Sequence, residues 1–120
     1  MTTATCYFDS SALVKRYMSE TGTSWVQSWC DDSAQVVAMA EIGLVEVTAA
    51  FAGKLRGNFI TAAMCDEAQQ DLLADARAEY VLVAVDRAIV DAAIGLARRY
   101  RLRGYDAVHL ASAQRLNQAC

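Results

Sequence analysis

Three acidic residues keep unusual company. Asp9 follows the apolar run Cys6-Tyr7-Phe8 and precedes Ser10-Ser11-Ala12-Leu13. Glu46 interrupts a stretch built from Ile42, Leu44, Val45, Val47, Ala49, Ala50 and Phe51. Asp106 stands in Gly104-Tyr105-Asp106-Ala107-Val108-His109-Leu110-Ala111. A carboxylate among Ile42, Val45 and Ala50 is costly unless something pairs with it, and the local sequence offers few cationic partners. Carboxylates that stay ionised as a cluster usually hold a hard cation such as Mg²⁺ or Mn²⁺. Two of the acids have a plainer role open to them as well. Asp9 or Ser10 can cap the helix that follows, and Asp106 can cap the last helix. His109, one turn after Asp106, reads as a packed or hydrogen-bonded residue rather than a ligand.

The elements that must position these acids follow from hydrophobic pattern. Ala4 to Phe8, Ala34 to Met39 and Tyr80 to Val85 are short apolar runs of strand length. Helical patterns cover Ser10 to Met18, Ser24 to Cys30, Glu41 to Leu55, Thr61 to Ala78, Asp86 to Tyr100 and Tyr105 to Leu116. The Glu41 helix is apolar nearly all round, which predicts burial on most sides. The polar Thr61 helix reads as an outer arm. Strands alternating with helices predict an α/β fold, with a parallel sheet and helices on its faces. Asp9 then ends the first strand at its carboxyl edge, where open α/β sheets bind ligands. Glu41 and Glu46, five apart, would point about 140° apart on one helix. That spacing assigns Glu46 to the cleft and Glu41 to the helix terminus.

Composition narrows the class. With 120 residues, 55% hydrophobic and 21% charged, the chain suits one globular domain over residues 1–120. A net charge of −3 gives no global signal for nucleic acid or membrane, so an anionic substrate needs local basic residues or a metal. No apolar run approaches bilayer length. No signal peptide is expected, since no basic region precedes an apolar run. Cys6, Cys30, Cys65 and Cys120 are scattered, which argues against zinc and a disulfide framework and fits a reducing cytoplasm. His109 is the only histidine, so a multi-histidine metal site is excluded.

Three stretches together carry a family resemblance. They are Asp9-Ser-Ser-Ala-Leu-Val-Lys after a strand, then Glu41-Ile-Gly-Leu-Val-Glu46-Val-Thr-Ala-Ala, then Tyr105-Asp-Ala-Val-His-Leu-Ala-Ser-Ala. In this order and spacing, from about Thr5 to Arg115, the chain resembles the PIN-domain nucleases, and within them the VapC-type toxins of bacterial toxin–antitoxin pairs. The resemblance implies a three-layer sandwich with helices on both sheet faces, and Mg²⁺- or Mn²⁺-dependent cleavage of RNA. It implies that Asp9, Glu46 and Asp106 are metal ligands in one cleft, with Ser10 or Ser11 supporting Asp9. It further implies a homodimer silenced by a VapB-like antitoxin. An arginine of that partner is expected near Asp9 and Asp106, and an amphipathic helix near Trp25. Arg101 and Arg103, with Lys15 and Arg16, are the candidates for holding the RNA backbone. The sequence departs from the family pattern in two places. Ala40 stands where many relatives have serine. The sequence stops at Cys120, before a further strand and a fourth acidic residue, so a C-terminal strand is expected to be missing.

Two rival functions remain. A strand-terminal aspartate can be a phosphatase nucleophile, although such phosphatases usually carry a second aspartate two residues on, where this chain has Ser11. A PIN-like domain can also serve as a catalytically weakened protein-interaction module. Metal-dependent RNA cleavage separates these from the nuclease.

Overall fold

The computed structural model describes residues 4–119; Cys120 lies outside them. Strands and helices follow as β1 (Ala4–Tyr7), α1 (Ser10–Tyr17), α2 (Thr23–Asp31), β2 (Gln35–Ala40), α3 (Gly43–Arg56), α4 (Ala62–Ala78), β3 (Val81–Val83), α5 (Arg87–Tyr100) and α6 (Gly104–Ala119). The three strands form an all-parallel sheet in the order β1-β2-β3. Cys6 pairs with Val37 and Tyr7 with Ala38, while Ala38 pairs with Val81 and Ala40 with Val83. All three expected strands and all six expected helices are present.

Alternation along the strands decides which helix each side chain meets. Phe8, Val37 and Met39 enter the main core with Leu13, Val26, Val47, Phe51 and Leu72 from α1 to α4. Tyr7, between Cys6 and Phe8, meets His109 of α6 instead. Residues 37–40 of β2 are all buried, as expected for a central strand covered on both faces. A second, smaller cluster of Ile89, Ala93, Ala107 and Ala111 joins α5 to α6.

Side-chain caps start three of the helices. Asp9 Oδ1 accepts from the Ala12 amide at 2.9 Å, Thr61 Oγ1 from Met64 at 3.1 Å and Asp86 Oδ1 from Ile89 at 3.0 Å. Each satisfies an amide that the helix itself cannot. Helix α2 begins differently, on Gly22 at φ 93°, a conformation that glycine adopts without strain.

Two expectations need correction. Helix α3 starts at Gly43, not Glu41, because the Glu41 amide donates to the Val83 carbonyl at 2.8 Å and prolongs the sheet instead. Helix α4 is no outer arm. Leu72 is fully buried, with Ala68 and Ala76 beside it, so one stripe of α4 closes the main core.

Candidate active site

Asp9 follows β1 and caps α1. Oδ1 accepts both the Ala12 amide and the Ser11 hydroxyl, each at 2.9 Å. Among the described residues, Oδ2 accepts no hydrogen bond. The cap and Ser11 therefore engage Oδ1 alone. Of the two expected supporting serines, Ser11 makes the bond and Ser10 does not.

Glu46 lies in the first turn of α3, where the free amides of the helix N-terminus favour negative charge. The assignment of Glu41, and not Glu46, to the helix terminus is corrected by the later helix start. That shift leaves Glu41 exposed and outside the helix. The partner that Glu46 lacked in the local sequence comes from α6: His109 Nε2 stands 2.6 Å from Glu46 Oε1. The His109 side chain is only 8% exposed and that of Glu46 24%. His109 Nδ1 is 2.7 Å from the Tyr7 hydroxyl, and that oxygen accepts the Ala40 amide at 3.0 Å. Burial pushes the Tyr7 phenol above its ordinary value. Nearby charges on Glu46 and Asp9 push it the same way, while the Ala40 amide and Ser112 act in the opposite direction.

Asp106 is exposed in the first turn of α6. Its spacing of three and four from His109 and Leu110 puts it on their helix face, with neighbouring Cβ atoms roughly 5–6 Å apart. Tyr7, Asp9, Ala12, His109, Leu110 and Ala113 line an open cleft of about 370 Å³. Asp106 stands one turn along α6 from that lining. Among the described residues, no three Asp, Glu, His or Cys side chains are close enough to hold one ion together. Asp9 lines the cleft directly, and Glu46 reaches its lining through His109.

The donor set nonetheless suits a hard cation. The candidate ligands are carboxylate oxygens, and Asp9 Oδ2 and Glu46 Oε2 carry no hydrogen bond among the described residues. Mg²⁺ is commonly held by one or two carboxylates, with water and substrate phosphate completing its shell.

The basic candidates divide. Arg16 is corrected: its side chain is 13% exposed and stands 3.4 Å from Asp75 and 3.3 Å from Glu79. It also donates to the Tyr80 hydroxyl at 2.7 Å, so its fork is engaged inside the protein. Lys15 is half-buried on α1, its stem alongside Gly22. Arg101 and Arg103 are exposed in the α5–α6 connection, and the Arg103 guanidinium donates to the Tyr105 hydroxyl at 3.2 Å. Neither makes an ion pair among the described residues. Tyr7 and the structural part played by His109 were not legible as a pair, because 102 residues separate them. The one available signal was a lone histidine sharing a helix face with Asp106.

An open parallel sheet with acids from β1, α3 and α6 around its carboxyl edge defines a class. Residues 6–120 match the PIN domain family, and the chain belongs to it. Over 108 residues it is 37% identical to Ribonuclease VapC45 of Mycobacterium tuberculosis (strain CDC 1551 / Oshkosh). It is 37% identical over the same length to Ribonuclease VapC49 of Mycobacterium tuberculosis (strain ATCC 25618 / H37Rv). Each alignment covers 89% of this chain and 73% of the relative. Within the PIN-domain family the chain is therefore of the VapC type. No helix among the described residues is long and apolar enough to cross a membrane.

Proposed function

We propose that this protein is an RNA-cleaving toxin: a Mg²⁺- or Mn²⁺-dependent endoribonuclease that hydrolyses phosphodiester bonds and is held in check by a small VapB-like antitoxin. The observation that carries the proposal is that Asp9 shares the cleft lining with Tyr7 and His109 while Glu46 bonds that His109, each carboxylate with one unengaged oxygen, in a chain of VapC type. Asp9, Glu46 and Asp106 are the residues that would hold the cation. When bound, a divalent ion there offsets charge on the phosphate and lowers the pKa of water. Ser11 fixes Asp9, the helix terminus and His109 fix Glu46, and Asp106 stands one turn of α6 from the cleft, where substrate can draw it in. Arg101 and Arg103 hold the RNA backbone, an interaction that carries position and not sequence.

The antitoxin reading rests on charge and on one surface. The Asp9 carboxylate in the cleft, with Asp106 one turn from its lining, suits a charge-assisted arginine from the partner. Trp25 is 62% exposed and stacks on Phe8 and Trp29, which suits the apolar face of a partner helix. A homodimer, as in the family resemblance, completes the proposal.

Cleavage of a fluorescent RNA by the purified protein is the test. Mg²⁺ or Mn²⁺ should switch cleavage on and EDTA should switch it off. Glu46→Gln should lower the rate at least 100-fold while its metal-free melting temperature stays near that of the parent. Cleavage that persists in EDTA, or in Glu46→Gln, would overturn the proposal and return the interaction-module reading to the front.

A further inference from the structure

Three hydrogen bonds run in series from the sheet edge to Glu46: the Ala40 amide to the Tyr7 oxygen, Tyr7 to His109 Nδ1, and His109 Nε2 to Glu46 Oε1. A backbone amide can only donate, so the Tyr7 oxygen accepts from Ala40 and keeps its own proton to give. An ionised Glu46 can only accept, so a neutral His109 ring that bonds it carries its proton on Nε2 and accepts the Tyr7 proton at Nδ1. The ring is held edge-on to Tyr7, with centroids 5.9 Å apart and planes at 67°. Gly43 opens α3 beside it. A Cβ there would come within 2.6 Å of Met39 Cε and 3.8 Å of His109 Cε1, so the missing side chain leaves room for Met39 and the ring. Oε1 of Glu46 is thereby committed to His109, and Oε2 is the oxygen left for a ligand.

We infer that Tyr7 and His109 are positioning residues for Glu46: Tyr7 sets the tautomer and orientation of the His109 ring, and the ring sets which carboxylate oxygen Glu46 presents to a divalent cation. The inference rests on Glu46 being a cation ligand, as proposed above. It adds two residues to the expected site, Tyr7 on β1 and His109 on α6. Partners of this kind commonly alter metal affinity by about 10–100-fold when removed.

The chain's single histidine makes the test direct. Protein labelled with ¹⁵N-histidine gives one imidazole, whose tautomer is read by NMR without metal. The parent should show a protonated Nε2 and a bare Nδ1, and Tyr7→Phe should show both tautomers. In calorimetric titrations with Mn²⁺, Tyr7→Phe and His109→Leu should bind at least roughly tenfold more weakly than the parent. His109→Gln, which keeps an N–H donor, should recover part of that loss. Melting curves on the same samples confirm that each is folded. If Tyr7→Phe does not fold, the parent tautomer and the comparison of His109→Gln with His109→Leu decide the matter. A parent ring protonated on Nδ1, or folded variants with parental Mn²⁺ affinity, would overturn the inference. Failure of the underlying metal reading looks different: Glu46→Gln would then bind Mn²⁺ as tightly as the parent.

Discussion

At the scale of single residues, Asp9 shows how one side chain can serve structure and chemistry together. Oδ1 closes the first turn of α1 through Ala12 and is steadied by Ser11, while Oδ2 stays available. The two roles separate by substitution. Asparagine caps a helix as well as aspartate does but carries no charge. Asp9→Asn should therefore keep the parental melting temperature while losing Mn²⁺ affinity and RNA cleavage. Asp9→Ala should lose the same activity and in addition cost about 1 kcal/mol of stability. Thermal melts and cleavage rates for the pair check this. Parental cleavage by Asp9→Asn would leave Asp9 as a cap alone. The sequence showed that both roles were open to Asp9, because a strand-to-helix junction is visible in the residue types. It could not show that the cap engages Oδ1 alone, which depends on backbone direction at the turn.

At the scale of elements, the Arg16 cluster explains how α1 is fastened to α4 and to the approach to β3. Arg16 reaches Asp75, Glu79 and Tyr80. Tyr17 donates to Asp75 at 2.8 Å and makes a short contact with the Tyr80 hydroxyl. Burial pushes the Tyr80 phenol up to about 12, partly offset by its bonds to Tyr17 and Arg16, so these hydroxyls remain hydrogen-bonding groups at neutral pH. Because Asp75 and Glu79 are 25% and 46% exposed, breaking the cluster costs less than breaking a fully buried pair. Arg16→Ala should cost about 1–3 kcal/mol in denaturant unfolding and leave RNA and Mn²⁺ affinity at the parental level. A drop in RNA affinity without a drop in stability would restore Arg16 to the RNA surface. Nothing in the sequence separates Arg16 from Lys15, since both end the same short helix; only the fold shows which one turns inward. The elements themselves were legible, because apolar runs of strand length and helical stripes are local features. The start of α3 was misplaced by two residues, because the Glu41 amide binds a carbonyl of β3, Val83, far along the chain.

At the scale of the whole molecule, a chain of net charge −3 with Asp9 in the lining of its candidate site must still attract a polyanion if it cuts RNA. Much of its positive charge is internally matched: Arg16 with Asp75 and Glu79, Lys54 with Glu20, Arg87 with Asp91 and Arg115 with Asp86. Arg98, Arg99, Arg101 and Arg103 make no ion pair among the described residues, and they gather at the end of α5 and the approach to α6. Arg101 takes the left-handed conformation, at φ 57°, that ends α5. The hydroxyl of Tyr105 and then the charge of Asp106 hold the Arg103 guanidinium further up. The basic stretch therefore adjoins the helix turn that carries Asp106. Binding measured in a Glu46→Gln background, where RNA is not cut, isolates this grip. Replacing Arg101 and Arg103 together by alanine should weaken binding to unrelated single-stranded RNAs by a similar factor. For every phosphate that is no longer neutralised, the slope of log affinity against log salt should flatten by about 0.7. An unchanged slope would place the RNA elsewhere and leave Lys15 and Arg98 as the residues to test next. A loss confined to one RNA sequence would instead mean that these arginines read bases, since phosphate contacts alone cannot discriminate.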